Sequence, residues 1–257
     1  MKTLLLAGGL GTRISEETSD KPKPMVEING RPILWHLIDI FSRQGISEFV
    51  IALGYKGDVI KRWVKDLHEF DGDITVDFRN KEFSKSGPGV LGNYSVSTLD
   101  TGLSTQTGGR ILKCFQRFPG ERLLVTYGDG LGNVSIPDLL EFHKSHGRLA
   151  TVTAMRPPAR FGHLELDGNS VIHFGEKNQS DEGWINGGFF VLEPEVYRFI
   201  SGFDEPFETG ALPRLAEIGE LQAFKHFGFW QPMDTLREKQ ELERFAKQNP
   251  PPWLSGI

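Results

Sequence analysis

The chain has 257 residues, 38% of them hydrophobic and 25% charged, a balance suited to one sizeable α/β domain with a buried sheet. Its formal charge of −5 excludes bulk attraction to nucleic acid or to an anionic membrane, both of which need a surplus of Lys and Arg. The single cysteine, Cys114, excludes an internal disulfide and a multi-thiolate metal cage.

Leu4–Ala7 reads as a short buried strand, cut by the glycine-rich turn Gly8-Gly9-Leu10-Gly11. That turn also ends the apolar run too early for a signal peptide, and no stretch nears the ~20 apolar residues of a membrane span. A cytoplasmic protein is the expectation. Ile33, Leu34, Leu37, Ile38 and Phe41 recur at helical spacing, with Gly45 where a C-terminal cap belongs. Phe49–Leu53 is a second buried strand, and Val59–Leu67 repeats the helical spacing. Lys81–Tyr94, rich in Gly, Ser and Lys and with little periodicity, reads as a loop or an insertion. Ile111, Leu112, Cys114 and Phe115 form an apolar pattern that makes Cys114 a core thiol rather than a nucleophile. Leu123–Tyr127 is a third buried strand ending at Gly128-Asp129-Gly130, and Ser135–Asp138 opens a helix with a capping box.

The second half is built of short strands: Thr151–Thr153, Gly162–Leu166, Val171–Phe174 and Ile185–Leu192. A charged helix over Thr235–Lys247 is stopped by Pro250–Pro252. Apolar strands alternating with amphipathic helices give the fold class: α/β, Rossmann-like, three layers, a mostly parallel sheet with helices on both faces. Ligands of such sheets bind at the carboxyl ends of the strands, where both glycine turns fall.

Glycines after a buried strand let the backbone approach a ligand and turn N–H groups onto a triphosphate. Arg13 adds a permanently charged fork suited to phosphate oxygens. The segment is neither a P-loop nor a dinucleotide fingerprint, and alone it would be only a turn. The second element is Lys21-Pro22-Lys23-Pro24-Met25. Prolines on both sides of Lys23 hold its backbone extended and pin the lysine. Beside Arg13 it would stabilise charge at an α-phosphate under attack, whereas a solvated Lys-Pro loop is the plainer reading of that motif by itself. Asp129 reads equally as a ligand-reaching carboxylate or an Asp-Gly turn, and Asp234 equally as a ligand or a helix N-cap. His143 and His146 suit a core position and a helix end better than a zinc site. Trp35, Trp63, Trp184 and Trp230 sit in apolar patterns, as core or pocket walls.

Gly-Gly-x-Gly-Thr-Arg at 8–13 followed by Pro-Lys at 22–23 resembles the signature of the nucleotide-sugar pyrophosphorylases, the sugar nucleotidyltransferase family. Further similarity lies in Thr107–Arg110, Thr126–Gly130, Asn186–Phe190 and Gly228–Thr235, so the resemblance runs from residue 1 to about residue 245. It is strongest to the members that use CTP. The resemblance implies one domain over 1–257: a nucleotide-binding half (1–150), a sugar-phosphate-binding half (151–245) and a tail (246–257). It makes Lys23 and Arg13 catalytic. It places the nucleotide on Leu6, Ala7, Gly8, Gly9, Gly11, Thr12, Arg13, Lys23, Ser104, Gly109, Arg110 and Gly128. It places the sugar phosphate on Gly162, Glu176, Lys177, Asn186 and Gly187. Asp129 and Asp234 would hold Mg²⁺, a hard cation content with a few carboxylates plus phosphate and water oxygens. CTP and a sugar 1-phosphate would be the small-molecule partners, with a homo-oligomer such as a hexamer as the assembly. Asn178 departs from the proline many relatives carry, and Pro157–Arg160 departs from a glycine-containing version, both on the sugar side. Another nucleotide or hexose, or a non-catalytic nucleotide-sugar sensor on the same fold, are the competing readings.

Overall fold

The computed structural model describes residues 1–87, 92–157, 162–167, 170–176 and 183–257, with backbone alone for 162–167 and 171–176. In chain order the elements are β1 (Lys2–Leu6), α1 (Ser15–Thr18), β2 (Glu27–Ile28), β3 (Arg31–Pro32), α2 (Ile33–Arg43), β4 (Glu48–Leu53), α3 (Gly57–Glu69), β5 (Asp73–Asp77), β6 (Glu82–Ser86) and β7 (Ser95–Asp100). There follow α4 (Thr107–Arg117), β8 (Leu123–Tyr127), β9 (Gly130–Gly132), α5 (Ile136–His146), β10 (Ala150–Met155), β11 (Gly162–Asp167), β12 (Ser170–Glu176), β13 (Ile185–Asn186) and β14 (Phe190–Leu192). The chain closes with α6 (Ala211–Glu217), β15 (Leu221–Lys225), β16 (Trp230–Pro232) and α7 (Leu236–Ala246).

An eight-stranded sheet carries the fold, in the order β13-β10-β14-β8-β1-β4-β7 with β15 also on β10. The β1–β4, β1–β8, β4–β7 and β10–β15 pairs are parallel, while β14 runs antiparallel to both β8 and β10. Strands from before and after residue 150 therefore share one sheet. Alternation along β1 sorts the core into two layers, as a period of two requires. Leu5 packs with Phe41 of α2, Ile60 of α3, Leu139 of α5 and Leu242 of α7. Leu4 and Leu6 pack on the other face with Ile111, Cys114 and Phe115 of α4 and Leu215 of α6. Helices thus cover both faces, as the strand–helix alternation implies.

Two segments differ from their sequence reading. Lys81–Tyr94 is not a plain loop: Glu82–Ser86 forms β6, paired antiparallel with β5. Its residues are exposed, so no buried face imposes a period. Ile185–Leu192 is two strands rather than one. Gly188 (φ 77°) and Phe189 (φ 48°) take left-handed backbone between them, although both strands still pair with β10. The tail packs down: Trp253 is buried against His36 and Phe229. It is the fully buried tryptophan, while Trp35, Trp63, Trp184 and Trp230 are half-buried. Among the described residues no helix is long and apolar enough to cross a membrane.

Candidate active site

β1 and β8 lie side by side in the sheet centre, so the turns after Leu6 and Tyr127 open at one edge. Gly11 carries φ 65°, and a Cβ there would crowd Thr18 Cγ2 at 3.1 Å and Lys23 Cβ at 3.2 Å. The Lys-Pro strap passes close over β1 and β8. A Cβ on Gly128 would stand 2.7 Å from the Leu6 carbonyl and 3.0 Å from Pro24 Cγ. The strap then tightens into a turn, with Val26 N–H donating to the Lys23 carbonyl at 3.0 Å.

Lys23 is the centre of the site. Its ammonium donates to Asp129 Oδ2 at 2.7 Å and to Asp234 Oδ1 at 2.6 Å, with only 10% of the side chain exposed. Burial pulls its pKa down, but the two carboxylates outweigh that and hold it above its ordinary value. Arg13, largely exposed, donates to Asp234 Oδ2 at 2.5 Å. A short ladder aligns the two aspartates: β9 begins just after Asp129, β16 ends just before Asp234, and Gly130 faces Pro232. Met233 N–H donates to the Asp129 carbonyl at 2.8 Å. Asp234 is not the N-cap of α7. Thr235 is, in a capping box whose Glu238 carboxylate accepts from the N–H groups of both Asp234 (2.7 Å) and Thr235 (2.9 Å).

A cleft of about 270 Å³ opens over this group. Of the expected nucleotide residues, Leu6, Ala7, Gly8, Gly9, Gly11, Thr12, Arg13, Lys23 and Arg110 line it, and so do Asp129 and Asp234. Ser104 does not; its neighbour Thr105 does, together with Thr107, which the resemblance puts near the base and phosphates, and with Gln106 and Tyr127, to which the sequence assigned no role. Gly109 turns away, its Cα side lying on Phe203, where a Cβ would meet the Phe203 carbonyl at 2.2 Å. Gly128 acts as a close-approach point beneath the strap rather than a wall. Arg110 is buried and donates to the carbonyls of Gly8, Leu53 and Gly102, at 2.9, 2.9 and 3.1 Å, and to Thr101 Oγ1. Burial lowers its pKa.

On the expected sugar side, Gly162 and Glu176 face one another in the β11–β12 register. Lys177 and Asn178 lie outside the described residues, as do residues 158–161. Asn186 donates from Nδ2 to Tyr127 Oη at 3.0 Å, and Gly187 packs on Met155. A wider groove of about 820 Å³, walled in part by Trp35, Trp63 and Tyr94, lies elsewhere. None of the candidate residues lines it, so the smaller cleft is the candidate site.

Two carboxylates already share one cation, Lys23, and among the described residues no histidine or thiol joins them. Among the described residues no three His, Cys, Asp or Glu side chains gather as a metal cage. An oxygen-only pair of this kind fits Mg²⁺ completed by phosphate and water oxygens. The rings of His143 and His146 both bond to Thr151 Oγ1, at 2.7 and 2.8 Å.

An α/β sheet with a glycine turn, a strapped lysine and paired aspartates at its carboxyl edge defines a nucleotidyl transferase, and the nucleotidyl transferase family model matches residues 2–235. The chain belongs to that family. Within it, the chain is similar to the glucose-1-phosphate cytidylyltransferase of Salmonella typhi, 46% identical over 254 residues that make up 98% of each chain. It is 27% identical to mannose-1-phosphate guanyltransferase beta-A of Xenopus laevis over 264 residues, 99% of this chain and 68% of that one. The fold matches the structure of HddC from Yersinia pseudotuberculosis complexed with GMP-PN, with a TM-score of 0.70 at 23% identity over 96% of this chain and 99% of that one.

Proposed function

We propose that the chain transfers the cytidylyl group of CTP to α-D-glucose 1-phosphate, giving CDP-glucose and pyrophosphate. The observation that carries the chemistry is Lys23 lying within hydrogen-bond distance of both Asp129 and Asp234 beside the glycine turn. The base and sugar rest on the relative that is 46% identical along 98% of the chain.

A sugar-phosphate oxygen attacks the α-phosphorus in line, and pyrophosphate leaves on the opposite side; no covalent enzyme intermediate is required. The backbone of Gly8, Gly9 and Gly11 cradles the triphosphate, while Lys23 and Arg13 neutralise charge that develops around the α-phosphorus. Lys23 and Arg13 offer two positive charges against two negative ones on Asp129 and Asp234, so a polyanionic substrate needs a further cation. Mg²⁺, held by Asp129 and Asp234, would supply that charge neutralisation at the phosphates. With the two carboxylates holding Mg²⁺, the Lys23 ammonium, which they hold in the structure, would be available to the substrate phosphates. Asn186 and Gly187, with Gly162, Glu176 and Lys177, receive the sugar phosphate. Residues 1–150 and 151–245 then act as nucleotide and sugar halves of one domain.

The reaction belongs in the cytoplasm, where CTP is available, and we assign a homo-oligomeric state. Supporting the latter, Val76 stands opposite Phe83 on the β5–β6 hairpin and both are about half exposed, as are Ile74 and Phe70. Pyrophosphate release with Mg²⁺ and α-D-glucose 1-phosphate, offering CTP, UTP, dTTP, ATP and GTP in parallel, tests the reading. Strong preference for CTP, abolished by EDTA, is expected. Preference for another nucleotide would overturn the base assignment; silence with all five would point first to another sugar phosphate, and silence with those as well to the sensor reading.

A further inference from the structure

Glu208 belongs to none of the motifs, yet its carboxylate is the meeting point of both ends of the cleft. Oε2 accepts from Thr107 Oγ1 at 2.6 Å, and Oε1 accepts from Tyr127 Oη at 2.6 Å. Thr107 opens α4 and lines the nucleotide cleft, as Tyr127 does at the end of β8. The proton directions are settled by what each group can do. A carboxylate only accepts, so both hydroxyl protons are committed to Glu208. The oxygen of Tyr127 is then left to accept from Asn186 Nδ2, and Asn186 Oδ1 accepts from Gly188 N–H at 2.9 Å. The amide of Asn186 is thereby oriented, and one Nδ2 proton stays outside these bonds.

The carboxylate is itself held. Its neighbour Phe207 is buried in the core, and Phe207 N–H donates to Thr107 Oγ1 at 2.8 Å. Thr107 thus accepts from the backbone beside Glu208 and donates to its side chain, closing a ring. The Tyr127 ring stands edge-on to Phe190 with centroids 5.9 Å apart.

We propose that Glu208 is a positioning residue. Its carboxylate fixes Thr107 at the nucleotide side and, through Tyr127, fixes Asn186 at the sugar-phosphate side, so that the two substrates meet in one register. This rests on the function proposed above, since Asn186 is taken there to contact the sugar phosphate. The phosphate grip of the glycine turn and Arg13 does not pass through Glu208. Its loss is therefore felt by one substrate more than the other.

Steady-state kinetics with CTP and α-D-glucose 1-phosphate on wild type, Glu208→Gln, Tyr127→Phe and the double variant test this. In Glu208→Gln the carboxamide has a single acceptor oxygen for two hydroxyl donors, so Thr107 and Tyr127 compete for it and the hold of Tyr127 on Asn186 weakens. The KM for α-D-glucose 1-phosphate is expected to rise about tenfold in each single variant, the scale of one lost charge-assisted hydrogen bond. The KM for CTP stays within about twofold by the same reasoning. The double variant should be no worse than the worse single one, because the two residues act in series. A purely structural role would lower the melting temperature and the active fraction while leaving both KM values in place. An unchanged sugar-phosphate KM in a folded Glu208→Gln enzyme, or additive losses in the double variant, overturns the proposal. If wild type does not turn over this pair, the functional reading fails instead. Crystal structures of Glu208→Gln and Tyr127→Phe then decide the positioning role, and Asn186 keeping its wild-type rotamer in both would refute it.

Discussion

Arg110 lies directly against Gly8. Its Nη2 donates to the Gly8 carbonyl at 2.9 Å, and a Cβ on Gly8 would fall 2.1 Å from Nη1. Gly54 is in the same position, with a Cβ there 2.7 Å from the same nitrogen. The first glycine of the turn is thus demanded by a protein side chain, quite apart from any nucleotide. Arg110 in turn links the ends of β1, β4 and β7, and places a positive charge behind the glycine turn.

Gly8→Ala is therefore expected to cost stability as well as binding. The new methyl must evict a guanidinium held by four acceptors, which loses about 2 kcal/mol or more of charge-assisted hydrogen bonding. Urea unfolding measures it. An unaltered unfolding midpoint with only the CTP affinity changed would mean the glycine serves the ligand alone.

Thr235 caps α7 and shares Glu238 with the backbone of Asp234, so the cap and the aspartate are one unit. Thr235→Ala should destabilise by about 1 kcal/mol, as lost N-caps do. It should also raise the Mg²⁺ concentration needed for half-maximal rate, because Asp234 loses part of its anchorage. A stability loss with no shift in Mg²⁺ dependence would separate the two.

A chain of directed hydrogen bonds runs through the helix–sheet contact of α5. Arg148 N–H donates to His146 Nδ1, His146 Nε2–H to Thr151 Oγ1, Thr151 Oγ1–H to His143 Nδ1, and His143 Nε2–H to Glu193 Oε1. The two links in which Nδ1 accepts, from Arg148 N–H and from Thr151 Oγ1–H, require neutral rings. Burial lowers the pKa of His143 and of His146, with Arg122 opposing protonation of the first and Arg148 of the second. Glu193, despite its own burial, is held below its ordinary value by Arg122 and His143. Folded-state pKa values below the unfolded ones mean that the unfolded chain takes up protons first. The stabilisation is therefore fully present above about pH 6.5 and is lost as pH falls below it. Melting temperatures flat between pH 7 and 8 and falling toward pH 5, with a smaller fall in His143→Gln, are expected. A wild-type melting temperature that rises on acidification would contradict the assignment.

Much of the site was legible because its signals are local. A glycine turn after a buried strand, and a lysine flanked by prolines, need no tertiary information. Asp129 and Asp234 could be paired only through the resemblance. What joins them physically is the β9–β16 ladder, too short to show a period. The β5–β6 hairpin escaped notice because Ile74, Val76 and Phe83 face solvent, leaving no buried face to mark the strands. Ser104 was expected in the cleft where Thr105 stands, a one-residue difference that loop backbone decides. Glu208 carries no local signature at all; its role exists only where α4, β8 and the segment before α6 meet.

The central claim is that Lys23, held by Asp129 and Asp234 in the resting cleft, acts on the α-phosphate. Its most direct test is the turnover of Lys23→Ala at saturating CTP, α-D-glucose 1-phosphate and Mg²⁺, with folding checked by circular dichroism. The expected result is a loss of about 10²–10³ in kcat, the scale for removing one preorganised electrostatic contact. A folded variant that keeps more than about a tenth of wild-type turnover would contradict the account, since no contact of that kind would then be missing.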